Sequence, residues 1–248
     1  MTATTEPVRV EPSPKRVRAM LGGVQVVDST RPLLVWERPY YPTYYFPLGH
    51  VADGVLREVD EEVRSPDDPV RYDVVVGDRI AAAAARRYPA SPNPELRDHV
   101  RFTWHEIDHW FEEDEEVFVH ARDPHARVDI LPSSRHLRVV VDGSTVAESD
   151  KPVILFETGL PPRYYFRKTD VAMELLTPTD SATQCPYKGQ AEYWSVTVGG
   201  TTHTDLAWSY RSPVRESLPI AGLIAFYDEK VDTYVDGELA ARPQTPFS

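Results

Sequence analysis

Residues 16–52 (RVRAMLGGVQVVDSTRPLLVWERPYYPTYYFPLGHVA) lie over residues 136–172 (HLRVVVDGSTVAESDKPVILFETGLPPRYYFRKTDVA) without a gap. Arg18 falls on Arg138, Gly23 on Gly143, Ser29 on Ser149, Pro32 on Pro152, Glu37 on Glu157 and Pro42 on Pro162. The triplet Tyr44-Tyr45-Phe46 falls on Tyr164-Tyr165-Phe166. Chance does not keep Gly, Pro, Glu and an aromatic triplet at one offset, so the chain is a tandem duplication. A repeat of a hundred-odd residues constrains the architecture more than any single motif does.

Within each copy the pattern is that of a β-meander. Val17 to Leu21 and Leu137 to Val141 are strand-like, and Gly22-Gly23 or Asp142-Gly143 supplies the positive-φ positions of a tight hairpin turn. Leu33-Leu34-Val35-Trp36 and Val153-Ile154-Leu155-Phe156 are continuous apolar runs, as in strands buried on both faces. The likeness continues more loosely. Residues 71–77 lie over 193–199, Tyr88 over Tyr210, and Trp110 over Tyr234 after a one-residue gap. The 23 prolines and 12 glycines are spread along the chain, which suits many turns. The Ala-rich run at 79–87 is too short and too unpatterned for a confident helix. The fold expected is mainly β: two similar curled antiparallel units related by internal duplication. The expected boundaries are a disordered N-terminal tail at 1–15, a first repeat at 16–117, a connector at 118–134, a second repeat at 135–240 and a C-terminal tail at 241–248.

Several motifs of the second copy, ETGLPPRYYF at 157–166, CPYKG at 185–189, AWSY at 207–210 and AFY at 225–227, closely resemble the bacterial family called domain of unknown function 427. WFEE at 110–113 and RVD at 127–129 resemble its two-copy actinobacterial members. The resemblance implies a mainly β fold and no agreed activity. The nucleotidyltransferase label sometimes attached to that family finds no support, because no Gly-Ser followed by paired metal-binding aspartates is present. The second copy keeps the full pattern. The first keeps Glu37, Pro42, Tyr44 and Tyr45, lacks the CPYKG loop, and has Arg86 where Trp208 aligns.

The candidate site is therefore placed in the second copy. Glu157 ends an apolar strand, and a carboxylate there needs a partner, which Lys188, Arg163 or a tyrosine hydroxyl supplies. Tyr165, Tyr187, Trp208 and Tyr210 are the expected walls of a small-molecule pocket, with Cys185 at its edge. The competing reading is a core ion pair among core aromatics. An enzyme using Cys185 as nucleophile or a carboxylate–tyrosine pair is an alternative, as is a protein-interaction scaffold. No catalytic residue, metal ligand or cofactor is assigned. His105-Glu106-Ile107-Asp108-His109 matches the zinc-protease pattern, but that chemistry needs a helix and a third ligand. In a strand the two histidines would stand about 13 Å apart. The acidic runs 53–68 and 112–116 read as solvated loops. A net charge of −12 argues against nucleic-acid binding. The polar N-terminus and the absence of a long apolar run point to a cytoplasmic protein without a membrane span, in which homo-oligomers remain an open expectation.

Overall fold

The computed structural model describes residues 8–60, 65 and 68–245. The chain divides into two compact units, Met1–Asp123 and Pro124–Ser248. The first contains β1 (Arg9–Pro12), β2 (Val17–Leu21), β3 (Val24–Ser29), β4 (Leu33–Trp36), β5 (Thr43–Pro47), β6 (Leu56–Glu58), β7 (Val70–Val76), β8 (Arg79–Arg87), β9 (His99–Phe102), β10 (His109–Glu112) and β11 (Glu115–Glu116). The second contains β12 (Val128–Pro132), β13 (Leu137–Val141), β14 (Ser144–Ser149), β15 (Val153–Glu157), β16 (Arg163–Phe166), β17 (Leu176–Cys185), β18 (Gly189–Val198), β19 (Thr201–Tyr210), β20 (Ile224–Phe226), β21 (Asp232–Val235) and β22 (Glu238–Leu239).

Each unit builds two sheets. Seven strands run in the order β1-β4-β5-β9-β8-β7-β6 in the first and β12-β15-β16-β20-β19-β18-β17 in the second. Four more run β11-β10-β2-β3 and, correspondingly, β22-β21-β13-β14. Every strand therefore has a counterpart at the same place in the other unit, and no sheet closes into a barrel. The duplication read from the sequence is a duplication of topology.

The hairpin turns confirm their sequence signature. Gly22 and Gly23, at φ of 58° and 78°, match Asp142 and Gly143 at 47° and 78°. Two successive positive-φ residues match the right-handed twist of the strands they join.

The seven-stranded sheets are buried on both faces. Along β5, Tyr44 and Phe46 enter the main core while Tyr45 between them enters a second, smaller cluster with Val35 and Leu96. In β16, Phe166 belongs to the main core and Tyr165 to the second cluster. Alternation places successive side chains on opposite faces. One face of each seven-stranded sheet carries the main core, and the other carries the smaller cluster that matters below.

The structure revises several expectations. Residues 9–12, read as tail, pair with β4, and residues 128–132, read as connector, pair with β15. Ala121 of the connector is buried, and Trp36 Nε1 donates to the connector's Asp123 Oδ2 at 2.8 Å. Residues 1–7, 61–64, 66–67 and 246–248, which include part of the expected tails and of the 53–68 acidic run, lie outside the described residues. The Ala-rich run is β8. Ala84 and Ala85 are fully buried, and helix propensity yields to packing between two neighbouring strands. Glu112 is not solvated: it is 6% exposed and accepts hydrogen bonds from Tyr44 Oη at 2.5 Å and Lys15 Nζ at 2.6 Å. Finally, Tyr234 corresponds to Phe111, not to Trp110. Arg18 stands opposite Phe111 with its guanidinium 5.3 Å from the ring centre, as Arg138 stands opposite Tyr234 at 4.1 Å. The gap in the sequence comparison hid this one-residue shift.

Candidate functional site

On the second cluster's face, β18, β19, β20 and β16 form one cross-strand row: Tyr193 opposite Trp208, Trp208 opposite Ala225, Ala225 opposite Tyr165. Directly opposed residues share a face, so these side chains pack together with Leu155, Tyr210 and Ile220. Trp208 Nε1 donates to Tyr165 Oη at 3.3 Å, and their rings meet edge to face at 6.3 Å. Tyr193 shares a 2.8 Å hydrogen bond with Thr183 Oγ1.

Glu157 stands at the end of β15, two residues beyond Leu155 and on its face. Lys188 reaches it from the β17–β18 turn and donates a hydrogen bond to Glu157 Oε2. Both side chains are 11% exposed. The turn is held by the 212–217 segment: Val214 N donates to Lys188 O at 3.1 Å, and Ser217 Oγ to Tyr187 O at 2.9 Å. Gly189 closes the turn at φ 97°, and a Cβ there would lie 3.3 Å from Val214 N. The turn therefore needs glycine for its backbone angle and for the closeness of the neighbouring chain.

Burial pushes the Tyr165 and Tyr210 hydroxyls well above their ordinary acidity range, and the Glu157 charge adds to both shifts. Tyr210 Oη makes no hydrogen bond among the described residues. Cys185 lies close enough to both hydroxyls to contribute to their shifts, and it is half-buried. Glu157, Lys188, Tyr165, Trp208, Tyr210 and Cys185 thus lie near one another at this end of the sheet. Tyr187 is half-buried and stands outside the buried aromatic cluster.

Arg163 is committed elsewhere. Its Nη1 and Nη2 donate to the two oxygens of Glu229 at 2.8 and 2.5 Å, and Nη1 lies 3.5 Å from Asp228 Oδ2. Burial raises the Asp228 carboxyl to about 6, although Thr233 Oγ1 donates to it at 2.7 Å and Arg163 is near. Burial also acts to raise Glu229, but hydrogen bonds from Arg163 and Thr245 leave it below its ordinary value. Sequence reading missed both carboxylates, although they directly follow the AFY motif. A cavity of about 90 Å³ adjoins this network, lined by Pro161, Pro162, Tyr164, Asp228, Thr233 and Pro243. It is smaller than the roughly 300 Å³ at which small-molecule pockets usually begin, and it does not include Glu157 or Lys188.

The family described as domain of unknown function 427 matches residues 9–113 and again residues 129–237. The chain belongs to the DUF427 family. It carries two copies in tandem, and each match coincides with one two-sheet unit. No curated protein matches the chain.

Comparing the two DUF427 copies shows which part of the site varies. In the first, Tyr45 Oη donates to Glu37 Oε1 at 2.5 Å and Thr43 Oγ1 to Oε2 at 3.3 Å. Arg101 supplies the cation, with its Nε 3.1 Å from Glu37. Arg101 stands opposite Tyr45, where Ala225 stands opposite Tyr165. Arg86 occupies the Trp208 position, flanked by Arg71 and Arg101 as Trp208 is by Tyr193 and Ala225.

The zinc-protease pattern forms no helix. Trp104–Glu106 make a 3-10 turn, His109 opens β10, and His109 Nδ1 lies 2.6 Å from Glu116 Oε1. Among the described residues, no cluster of three metal-binding side chains occurs. No helix among them is long and apolar enough to cross a membrane.

Proposed function

We propose that the second DUF427 unit is a small-molecule-binding module of the cytoplasm whose recognition group is the Glu157–Lys188 pair. One observation carries this reading. Two opposite charges, each about one-tenth exposed, meet beside a Tyr210 hydroxyl that has no hydrogen-bond partner among the described residues. A buried ion pair is a costly choice for stability alone, since the loss of hydration rivals the attraction gained. The ligand this geometry favours is small and polar, with an acidic or carbonyl oxygen for Lys188 and a donor for Glu157. Cys185 at the margin gives the reading an enzymatic variant, in which its thiol attacks a bound electrophile.

A second reading also rests on a specific observation. Tyr165, Trp208, Tyr210 and Tyr193 are all less than 9% exposed, and the first unit satisfies its own glutamate with a different cation. Both facts favour an ion pair that orders the sheet end. The deciding experiment is a thermal-shift screen of polar metabolites, repeated on Lys188→Met and Glu157→Gln. A ligand that raises the melting temperature of the parent and not of either folded variant supports binding. Loss of folding in both variants, with no ligand shift in the parent, supports the ion pair as structure. Alkylation of Cys185 by iodoacetamide that is no faster than for a free thiol would remove the nucleophilic variant.

A further inference from the structure

The first unit carries a feature that the second lacks. Arg71, Arg86 and Arg101 stand directly opposite one another on β7, β8 and β9. Like charges opposed across a ladder repel, so Arg86 and Arg101 side by side destabilise the sheet unless something neutralises them. Glu37 neutralises part of Arg101. Arg86, at the centre of the row, has no hydrogen bond or ion pair among the described residues. Its Nε is buried and lacks an acceptor, and so is the Nε of Arg101, whose approach to Glu37 is too poorly aligned for a hydrogen bond. A buried guanidinium N–H with no acceptor, beside a second whose nearest carboxylate is misaligned, is unusual in a folded protein. The Arg86 group is more unusual in a chain of net charge −12, where carboxylates are plentiful.

We propose that Arg86 and Arg101 form an oxyanion-binding site on the Tyr45 face of the first unit's seven-stranded sheet, taking the phosphate or carboxylate group of a small molecule. The chemistry follows from the guanidinium fork, whose parallel N–H groups match two oxygens of one anion. Tyr88 flanks the site: its ring lies 6.4 Å from that of Tyr45, and its hydroxyl helps hold the proton on Arg101. Glu37 lies 3.1 Å from Arg101 Nε as a fixed counter-charge, so Arg86 carries the unneutralised charge of the pair and the site is limited to one anionic group. The counterparts in the second unit, Trp208 and Ala225, carry no charge, so the two copies differ in ligand class. The site stands independently of the Glu157–Lys188 reading.

The test is the side-chain Nε–Hε NMR signals of Arg86 and Arg101 in the full chain. Sodium phosphate and sodium acetate are titrated separately against sodium chloride at constant ionic strength. The expected result is a saturable shift of both signals with phosphate, acetate or both; the stronger of the two identifies the oxyanion. In Arg86→Met the Arg101 shift should need at least tenfold more anion, whereas Arg31→Gln, at an exposed turn, should behave as the parent. Should Arg86→Met not fold, Arg86→Lys serves instead, keeping the charge but losing the fork, with the same tenfold weakening expected. Shifts that grow linearly, match those in chloride, or survive the Arg86 substitution overturn the proposal.

Discussion

Arg101 Nε stands 3.1 Å from Glu37 Oε1, on the strand position that the second unit gives to Ala225. The glutamate is thus the fixed member of the pair, and its cation has two independent sources: a neighbouring strand in one unit and the tip of a hairpin in the other. Glu157, whose side chain is 11% exposed, needs a cation in contact for its burial to be tolerable, whereas the Glu37 side chain is 29% exposed and depends on its partner less.

Removing the cation alone should therefore cost more than removing the pair. Lys188→Met should destabilise the second unit by about 3 kcal/mol, the usual range for stranding one buried charge. The double variant Glu157→Gln/Lys188→Met should recover more than half of that. Urea unfolding of the four proteins of this cycle measures it, and a double-variant loss equal to the sum of the two single losses would mean that the pair is not coupled.

Asp228 should make stability depend on pH in an unusual direction. Burial raises its carboxyl from 3.8 to about 6. A raised acid contributes stability that is complete below its unfolded value, near pH 4, and lost as pH rises through about 6. Asp228→Asn, which keeps an acceptor for Thr233, should therefore be more stable than the parent at pH 8, by about 1–3 kcal/mol. The gain should vanish near pH 4. Denaturation curves at both pH values decide the sign.

Gly189→Ala should be among the most damaging single-methyl changes in the second unit. It combines φ 97° with a contact of 3.3 Å to backbone nitrogen, which no side-chain motion relieves. A loss of about 1–3 kcal/mol is expected, together with a looser Lys188. Gly143→Ala meets nothing within 4 Å and should cost less. Melting temperatures of the two variants make the comparison direct.

In the first unit, Glu112→Ala should strand Tyr44 Oη and leave Lys15 without its buried acceptor. The expected loss is about 2–4 kcal/mol, against a smaller one, about 1 kcal/mol or less, for Glu113→Ala, whose exposed side chain accepts from Arg16 N at 2.8 Å. Chemical denaturation at neutral pH distinguishes them.

The fold was legible because a repeat leaves paired marks: the Gly-Gly and Asp-Gly turns and the Tyr-Tyr-Phe strands located equivalent elements without any need to predict them singly. β8 was obscure because alanine prefers helix when nothing packs on it, and only the flanking strands make it extended. The division into two sheets was not visible either, since alternation reports which residues are buried and not what they are buried against. At the site, Glu157 and Lys188 could be paired from sequence, whereas Arg163 could not be assigned. Its partners follow β20, and a sequence shows no distance between strands. Glu112 was misread for the same reason: an acidic run looks solvated until Tyr44 and Lys15 converge on one member.

All strands of each sheet come from a single unit. Neither copy borrows a strand from its sister, so neither is a template that the other must preserve. A lineage holding such a gene is free to let one copy wander in chemistry while its twin keeps the older arrangement. The arginine row of the first unit, at the positions where the second carries tyrosine, tryptophan and alanine, is a difference of that kind.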